Sequence, residues 1–377
     1  MQYRKFTKDH LDVSLLGFGC MRFPVIDGDS SKIDEELSTE MLHYAIDHGV
    51  NYIDTAYNYH QGNSEIFVGK ALKNGYREKV YLATKLPVWL VKTYEDFERL
   101  LDEQLEKMQV DHIDFYLLHS LYEKTWRNIE KLNIFKFIEE AKRKGKIKYI
   151  GFSFHDELPL FKEIVDAYPW DFCQIQLNYM DRQYQAGIEG LQYISEKSIS
   201  LVIMEPIKGG KLASAPSDIE AIWDKSPQKR TPAEWALKWI YDFKEVSVVL
   251  SGMSTLEQVK QNITSTTNSI PMSLTENEHD LIDQVTALYN ERTKVGCTSC
   301  EYCIPCPSNV AIPNIFSHYN NFYIYGTEEN SMNMYEHFKK EGKDSTMCTE
   351  CGACEQLCPQ HLEIISLLKD ANKALSR

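Results

Sequence analysis

Along the first 270 or so residues, short runs of apolar and β-branched residues alternate with stretches whose apolar positions recur every three or four residues. The runs are VSLLGFG (13–19), NYIDTA (51–56), VYLATKL (80–86), IDFYLLHS (113–120), KYIGFSF (148–154), FCQIQLNY (172–179), ISLVIMEP (199–206) and VSVVLSG (246–252). Between them lie amphipathic segments such as TYEDFERLLDEQLEKM (93–108), where Phe97, Leu100, Leu101, Leu105 and Met108 keep helical spacing. Strands that are apolar throughout and separated by helices predict parallel β/α units with both sheet faces covered. Eight of them predict a closed (β/α)8 TIM barrel. No Gly-x-Gly-x-x-Gly turn follows the first strand, which weighs against an open dinucleotide-binding sheet. QYRKF (2–6) and DVSLL (12–16) predict a hairpin closing the barrel floor. The texture changes near 290–296, so the expected domains are a barrel over 1–292 and a smaller α-helical domain over 293–377.

Composition changes this picture little: 43% hydrophobic and 25% charged residues are ordinary for a soluble globular chain. A net charge of −14 argues against nucleic acid as a partner, because a phosphate binder shows a basic stripe. The longest apolar runs are broken, as YLATKLPVWLV is by Lys85 and Pro87, and none predicts a membrane span. MQYRKFTKDH lacks the apolar core of a signal peptide, and a cytoplasmic location is the expectation.

The cysteines change the picture more. Of ten, Cys20 and Cys173 stand alone and eight fall between 297 and 358. Without a short secreted chain they predict ligands, not disulfides. CTSCEYCIPCP holds Cys297, Cys300, Cys303 and Cys306; CTECGACEQLCP holds Cys348, Cys351, Cys354 and Cys358. Thiolates three apart, closed by Cys-Pro, suit an iron–sulfur cubane; structural zinc uses paired Cys-x2-Cys sets instead. In two-cluster ferredoxins the last cysteine of each run ligates the other run's cluster. The expected sets are Cys297, Cys300, Cys303 and Cys358 for one [4Fe–4S], and Cys348, Cys351, Cys354 and Cys306 for a second. PSNVAIPNIF after Cys306 also overlays PQHLEIISLL after Cys358, pairing Val310 with Leu362, Ile312 with Ile364, Ile315 with Leu367 and Phe316 with Leu368. Each run thus predicts a following helix, with another around SMNMYEHFKKE, as in an α-helical ferredoxin-like domain.

Barrel chemistry gathers at the C-terminal ends of the strands. There DTAYNY, TKL and LLHS place Asp54, Tyr59, Lys85 and His119. A tyrosine is a poor acid at neutral pH; a nearby lysine lowers its pKa, and an aspartate keeps that lysine charged. A histidine can orient a carbonyl oxygen. Together they suit protonation of a carbonyl oxygen as hydride reaches its carbon. Singly, each also fits a structural role: a loop-capping carboxylate, its ion-pair partner, a core histidine. Tyr57 competes with Tyr59 for the acid role, and the spacing from Asp54 selects Tyr59.

GVNYIDTAYNYHQGNSEIFVGKAL resembles the signature of the aldo-keto reductases, with the likeness running over roughly the first 270 residues. The resemblance implies Tyr59 as general acid, tuned by Lys85 and Asp54, with His119 orienting a small carbonyl substrate. It further implies an NADP(H) site, with NAD(H) as the alternative. Its residues would be Gly19 and Met21 after the first strand, Ser153 and Gln174 on the carboxamide, and Tyr179 stacking on the nicotinamide. Glu205, Pro206, Ile207, Gly209 and Gly210 would cross the pyrophosphate, and Ser251, Gly252, Gln258 and Asn262 would take the adenosine. Two departures from the family pattern stand out, at three positions. Phe154 replaces an asparagine, with His155 adjacent, and Gly252 and Gln258 stand where many members carry Lys and Arg against a 2′-phosphate. Lys208, Lys211 and Lys260 are the candidate substitutes. Trp89, Tyr122 and Trp126 follow strands three and four, as pocket walls or as loop packing.

Two functions fit. One is an NAD(P)H-dependent carbonyl reductase with clusters in its tail. The other is an electron-transfer module whose clusters serve a redox partner protein, with the barrel for nicotinamide binding or docking. Hydride transfer moves two electrons and a cluster one, and no flavin fingerprint bridges them. The tetrad needs no cluster to act, which favours the reductase.

Overall fold

In a computed structural model, residues 1–297, 303–358 and 360–377 are described. The eight apolar runs form strands β3 (Leu16–Gly19), β4 (Tyr52–Asp54), β5 (Tyr81–Leu86), β6 (Ile113–Leu121), β7 (Ile147–Phe154), β8 (Phe172–Gln176), β9 (Ser200–Met204) and β10 (Val246–Ser251). Each pairs in parallel with its sequence neighbour, and β10 pairs with β3 to close the barrel. Parallel closure buries both strand faces, which is why these runs are apolar throughout.

The floor is filled as expected. An antiparallel hairpin, β1 (Tyr3–Phe6) and β2 (Leu11–Ser14), brings Phe6 under the barrel. Its ring meets Phe115 at 4.9 Å, Phe172 at 5.5 Å and Tyr52 at 5.9 Å. Helix Glu95–Met108 buries Phe97, Leu100, Leu101 and Met108, but the fifth buried position is Gln104, while Leu105 is only half-buried. The polar residue is accommodated because strand and helix groups satisfy its amide.

The chain divides into two compact units, 1–210 with 233–274, and 211–232 with 275–377. The expected boundary at 292/293 falls inside the second unit. Helix Glu276–Glu291 joins the cysteine segment because its end packs there: Tyr289 meets Tyr325 at 5.4 Å, and Arg292 pairs with Asp218. The helices expected after each cysteine run are Ile312–Ile324 and Ile364–Leu375, with Glu328–Lys340 between. Val310, Ile312, Ile315, Phe316, Ile364 and Leu368 share one core, as the internal repeat predicts. Among the described residues, no helix is long and apolar enough to cross a membrane.

Candidate functional site

Strand ends bring Asp54, Lys85 and His119 to one spot. Lys85, 1% exposed, donates from Nζ to Asp54 Oδ1 at 2.7 Å, Thr55 O at 2.8 Å and the Tyr59 hydroxyl at 3.4 Å. Tyr59 starts a tight turn in which His60 and Gln61 take left-handed φ values of 50° and 54°. Non-glycine residues hold such angles only when their surroundings fix them, and the His60 ring is tied to Ser30 O at 3.0 Å. Tyr57 is turned elsewhere: its hydroxyl donates to Glu103 Oε1 at 2.9 Å.

His119 is aimed by an irregularity. The β6–β7 register shifts between Leu118 and Leu121, and Ser120 adopts a φ of 52°. Ser153 Oγ accepts from Ser120 N at 2.7 Å and pins this bulge. A bulge re-aims side chains beside it, and the His119 ring sits edge-on to Tyr59, centroids 6.3 Å apart. Trp89 leans on His119 at 5.1 Å while 41% exposed, and Tyr122 is exposed; Trp126, on helix Glu123–Lys131, is wholly buried and packs edge-on to Phe135.

A polar network absent from the sequence reading backs Lys85. Gln104 Nε2 donates to Lys85 O at 3.0 Å and Glu65 Oε1 at 2.5 Å, Thr84 Oγ1 donates to Glu65 Oε1 at 2.7 Å, and Tyr116 OH donates to Gln104 Oε1 at 2.8 Å. A glutamine at a core-facing helical position was the one available signal.

Burial raises the Tyr59 hydroxyl above its ordinary pKa, and Lys85 only partly pulls it back. The expected net lowering is thus reversed in the free chain, because desolvation of a phenolate outweighs one nearby charge. Burial works against the Lys85 charge, yet Asp54 and Tyr59 hold its pKa above the ordinary value. Burial also raises Asp54, opposed by Lys85; the lysine's direction governs the pair, since an ammonium this buried requires its counter-charge. Burial, then Lys85 and His155, drives His119 well below its ordinary value, so the imidazole is neutral.

Nearby groups suit a dinucleotide in part. Gln174 spends Nε2 on Met204 Sδ at 3.3 Å, leaving Oε1 buried without a partner, an acceptor that fits an amide N–H. Gly19 at the end of β3 closely approaches the backbone of Ser251 and Gly252, and Asn262 Nδ2 donates to Ser251 Oγ at 3.0 Å. Met21 is exposed, and Glu205, Pro206, Ile207, Gly209 and Gly210 follow β9 as one turn. Other positions are occupied otherwise. Phe154 packs against Phe161 at 5.1 Å, Tyr179 is 1% exposed, and Gln258 Oε1 accepts from Ser254 N at 2.8 Å.

In the second unit, Cys306, Cys348, Cys351 and Cys354 line one small pocket, together with Val310, Ile312 and Leu368. Cys306 comes from the first run and the other three from the second, the set expected from crossed ligation. Among the described residues no three Cys, His, Asp or Glu close on a single ion. Cys297, Cys303 and Cys358 pack against the same apolar core, and Cys300 lies outside the described residues.

The aldo/keto reductase family model matches residues 15–287, and a 4Fe-4S dicluster domain model matches 296–363. The uncharacterized oxidoreductase YqkF of Bacillus subtilis is 27% identical over 295 residues, 70% of this chain and 90% of that protein. Probable aldo-keto reductase 1 of Glycine max is 28% identical over 301 residues, 69% of this chain and 82% of its own. Among solved structures, aldo-keto reductase AKR11C1 from Bacillus halodurans, in its holo form, aligns with a TM-score of 0.63 at 28% identity, covering 75% of this chain and 96% of that one. An aldo/keto reductase from Klebsiella pneumoniae in complex with NADP and acetate shares the fold at a TM-score of 0.60 and 22% identity, covering 76% and 95%.

Proposed function

Because the chain belongs to the aldo/keto reductase family and carries a 4Fe-4S dicluster domain behind its barrel, we propose that it reduces the carbonyl group of a small aldehyde or ketone with NADP(H). One observation carries this reading: a fully buried lysine that bonds an aspartate and a tyrosine hydroxyl at once, with a neutral histidine edge-on to that tyrosine. When bound, a reduced nicotinamide supplies the hydride and an iron–sulfur cluster single electrons.

Tyr59 delivers the proton to the carbonyl oxygen. Burial keeps it protonated until it is used, and the Lys85 ammonium stabilises the phenolate as it forms, so the pair acts mainly at the transition state. Asp54 keeps the ammonium charged. Neutral His119 donates a hydrogen bond that orients the substrate oxygen. The exposed face of Trp89 offers an apolar wall, which favours substrates with an aromatic or aliphatic substituent. Gln174, Ser251, Gly209 and Gly210 are the positions proposed to hold the dinucleotide, an assignment supported by the unpartnered Gln174 Oε1 at the strand ends. NAD(H) stays open as the alternative.

In the tail, Cys306, Cys348, Cys351 and Cys354 would hold one [4Fe–4S], and Cys297, Cys300, Cys303 and Cys358 a second. The exposure of Cys351 suits electron exchange with a redox partner protein. A pure electron carrier, however, leaves the barrel tetrad without a role.

Tyr59→Phe is the cleaner test, since removing Lys85 strands a buried carboxylate. NADPH oxidation with a panel of aromatic and aliphatic aldehydes should lose roughly 10²- to 10⁴-fold in kcat, with the NADPH Kd unchanged. Wild-type turnover in this variant would reject Tyr59 as the acid.

A further inference from the structure

A dinucleotide brings phosphate charge to the strand ends, and the lysines expected to meet it are engaged elsewhere. Lys208 donates to both carboxylate oxygens of Asp181, at 2.6 and 2.5 Å. Lys260 sits over the Tyr44 ring at 5.5 Å. Lys211 belongs to the second unit and donates to Asn321 Oδ1 at 3.0 Å. Gly252 carries no charge, and Gln258 closes its own loop.

Arg22 is different. It stands three residues after β3, where its backbone carbonyl accepts from Ser254 Oγ at 2.8 Å. Its stem lies across Gly252: a Cβ added there would come within 2.6 Å of Arg22 Cγ and 3.1 Å of Arg22 Cβ. Its far end reaches the turn after β9, where a Cβ on Gly209 would stand 3.8 Å from Arg22 Nη2. The missing side chain of Gly252 therefore leaves room for the Arg22 stem, and its guanidinium reaches from the β10 turn to the β9 turn, the segments assigned above to adenosine and pyrophosphate. Arg22 is exposed, and among the described residues its side chain makes no ion pair or hydrogen bond. The Glu205 carboxylate flanks the same spot, with Oε2 3.4 Å from the Gly209 Cβ position, and would repel a phosphate placed beyond it. An uncommitted arginine presents a planar fork of donors that matches phosphate oxygens in pairs.

We propose that Arg22 binds the pyrophosphate of the nicotinamide dinucleotide and supplies the cation that Lys208, Lys211 and Lys260 do not. This rests on the cofactor reading given under Proposed function. The test is titration of the full-length protein with NADPH and, separately, NADH, read by quenching of tryptophan fluorescence. Arg22→Met keeps the stem over Gly252 and removes the charge; Arg22→Lys keeps the charge and removes the fork. Arg22→Met should raise both Kd values by a similar factor, on the order of tenfold to a hundredfold, with an unchanged melting temperature, and Arg22→Lys should recover part of the loss. Weakening of NADPH alone would move the guanidinium to the 2′-phosphate and overturn the pyrophosphate assignment. Unchanged Kd values would overturn it outright, provided wild-type protein binds. Wild-type protein that binds neither nucleotide would instead sink the cofactor reading, and the Arg22 assignment with it.

Discussion

At the scale of single residues, the tetrad's protonation states set the pH behaviour. On the proposed reductase reading, reduction needs Tyr59 protonated, and burial holds its pKa above the ordinary 10.0. The same reading needs His119 neutral, and burial with Lys85 holds it well below its ordinary 6.5. Both active forms therefore persist through neutral pH. Under cofactor saturation, the rate of the reductive step should be flat from about pH 6 to 9 and fall only on the alkaline side. A stopped-flow profile checks this, and an acidic limb near the ordinary histidine value would mean that His119 carries a proton in the site. Asp54, Tyr59, Lys85 and His119 were legible because each sits at a fixed offset from a strand end. Arg22 and Gln104 were not, since their roles depend on turns and helices from distant parts of the chain.

At the scale of elements, close approaches decide what substitutions are tolerated. Helix Asn63–Ala71 crosses the end of helix Glu95–Met108 at Gly69, where an added Cβ would lie 2.4 Å from Met108 O. Alanine would gain about 1 kcal/mol of helix propensity at such a site. Pushing a backbone carbonyl aside costs about 1–3 kcal/mol, so the clash should win. Gly69→Ala is expected to lower the melting temperature by a few degrees in a thermal unfolding scan, and a raised midpoint would show that the helices separate freely. Strands and the floor hairpin were readable from apolar runs alone. The Leu105-for-Gln104 exchange was not, because helical periodicity sees hydrophobicity and cannot see a buried amide that neighbouring polar groups satisfy.

At the scale of the molecule, the two cysteine runs stand 41 residues apart, between Cys306 and Cys348, yet contribute to one cavity wall. If ligation is crossed, Cys306 and Cys351 serve the same cluster. Wild-type protein reconstituted anaerobically should hold roughly eight irons, and the double variant Cys306→Ala with Cys351→Ala should retain roughly four. Pairing Cys306→Ala with Cys303→Ala should remove both clusters. Iron and sulfide analysis distinguishes the two variants, and loss of all iron from the first would refute the crossed assignment. The joining of 275–292 to the cysteine segment also predicts that truncation at 292 exposes Tyr289.

What the sequence determined by itself was whatever short-range pattern encodes: strand and helix alternation, the barrel, the strand-end tetrad, and cysteine spacing tight enough to name a cluster. These depend on residues within a few positions of each other. Tertiary structure alone decided which charges remain free, which thiols share a cavity, where the compact units divide, and which way burial moves the Tyr59 hydroxyl. Each of those depends on desolvation and on contacts between residues tens to hundreds of positions apart, and neither quantity is written in local spacing.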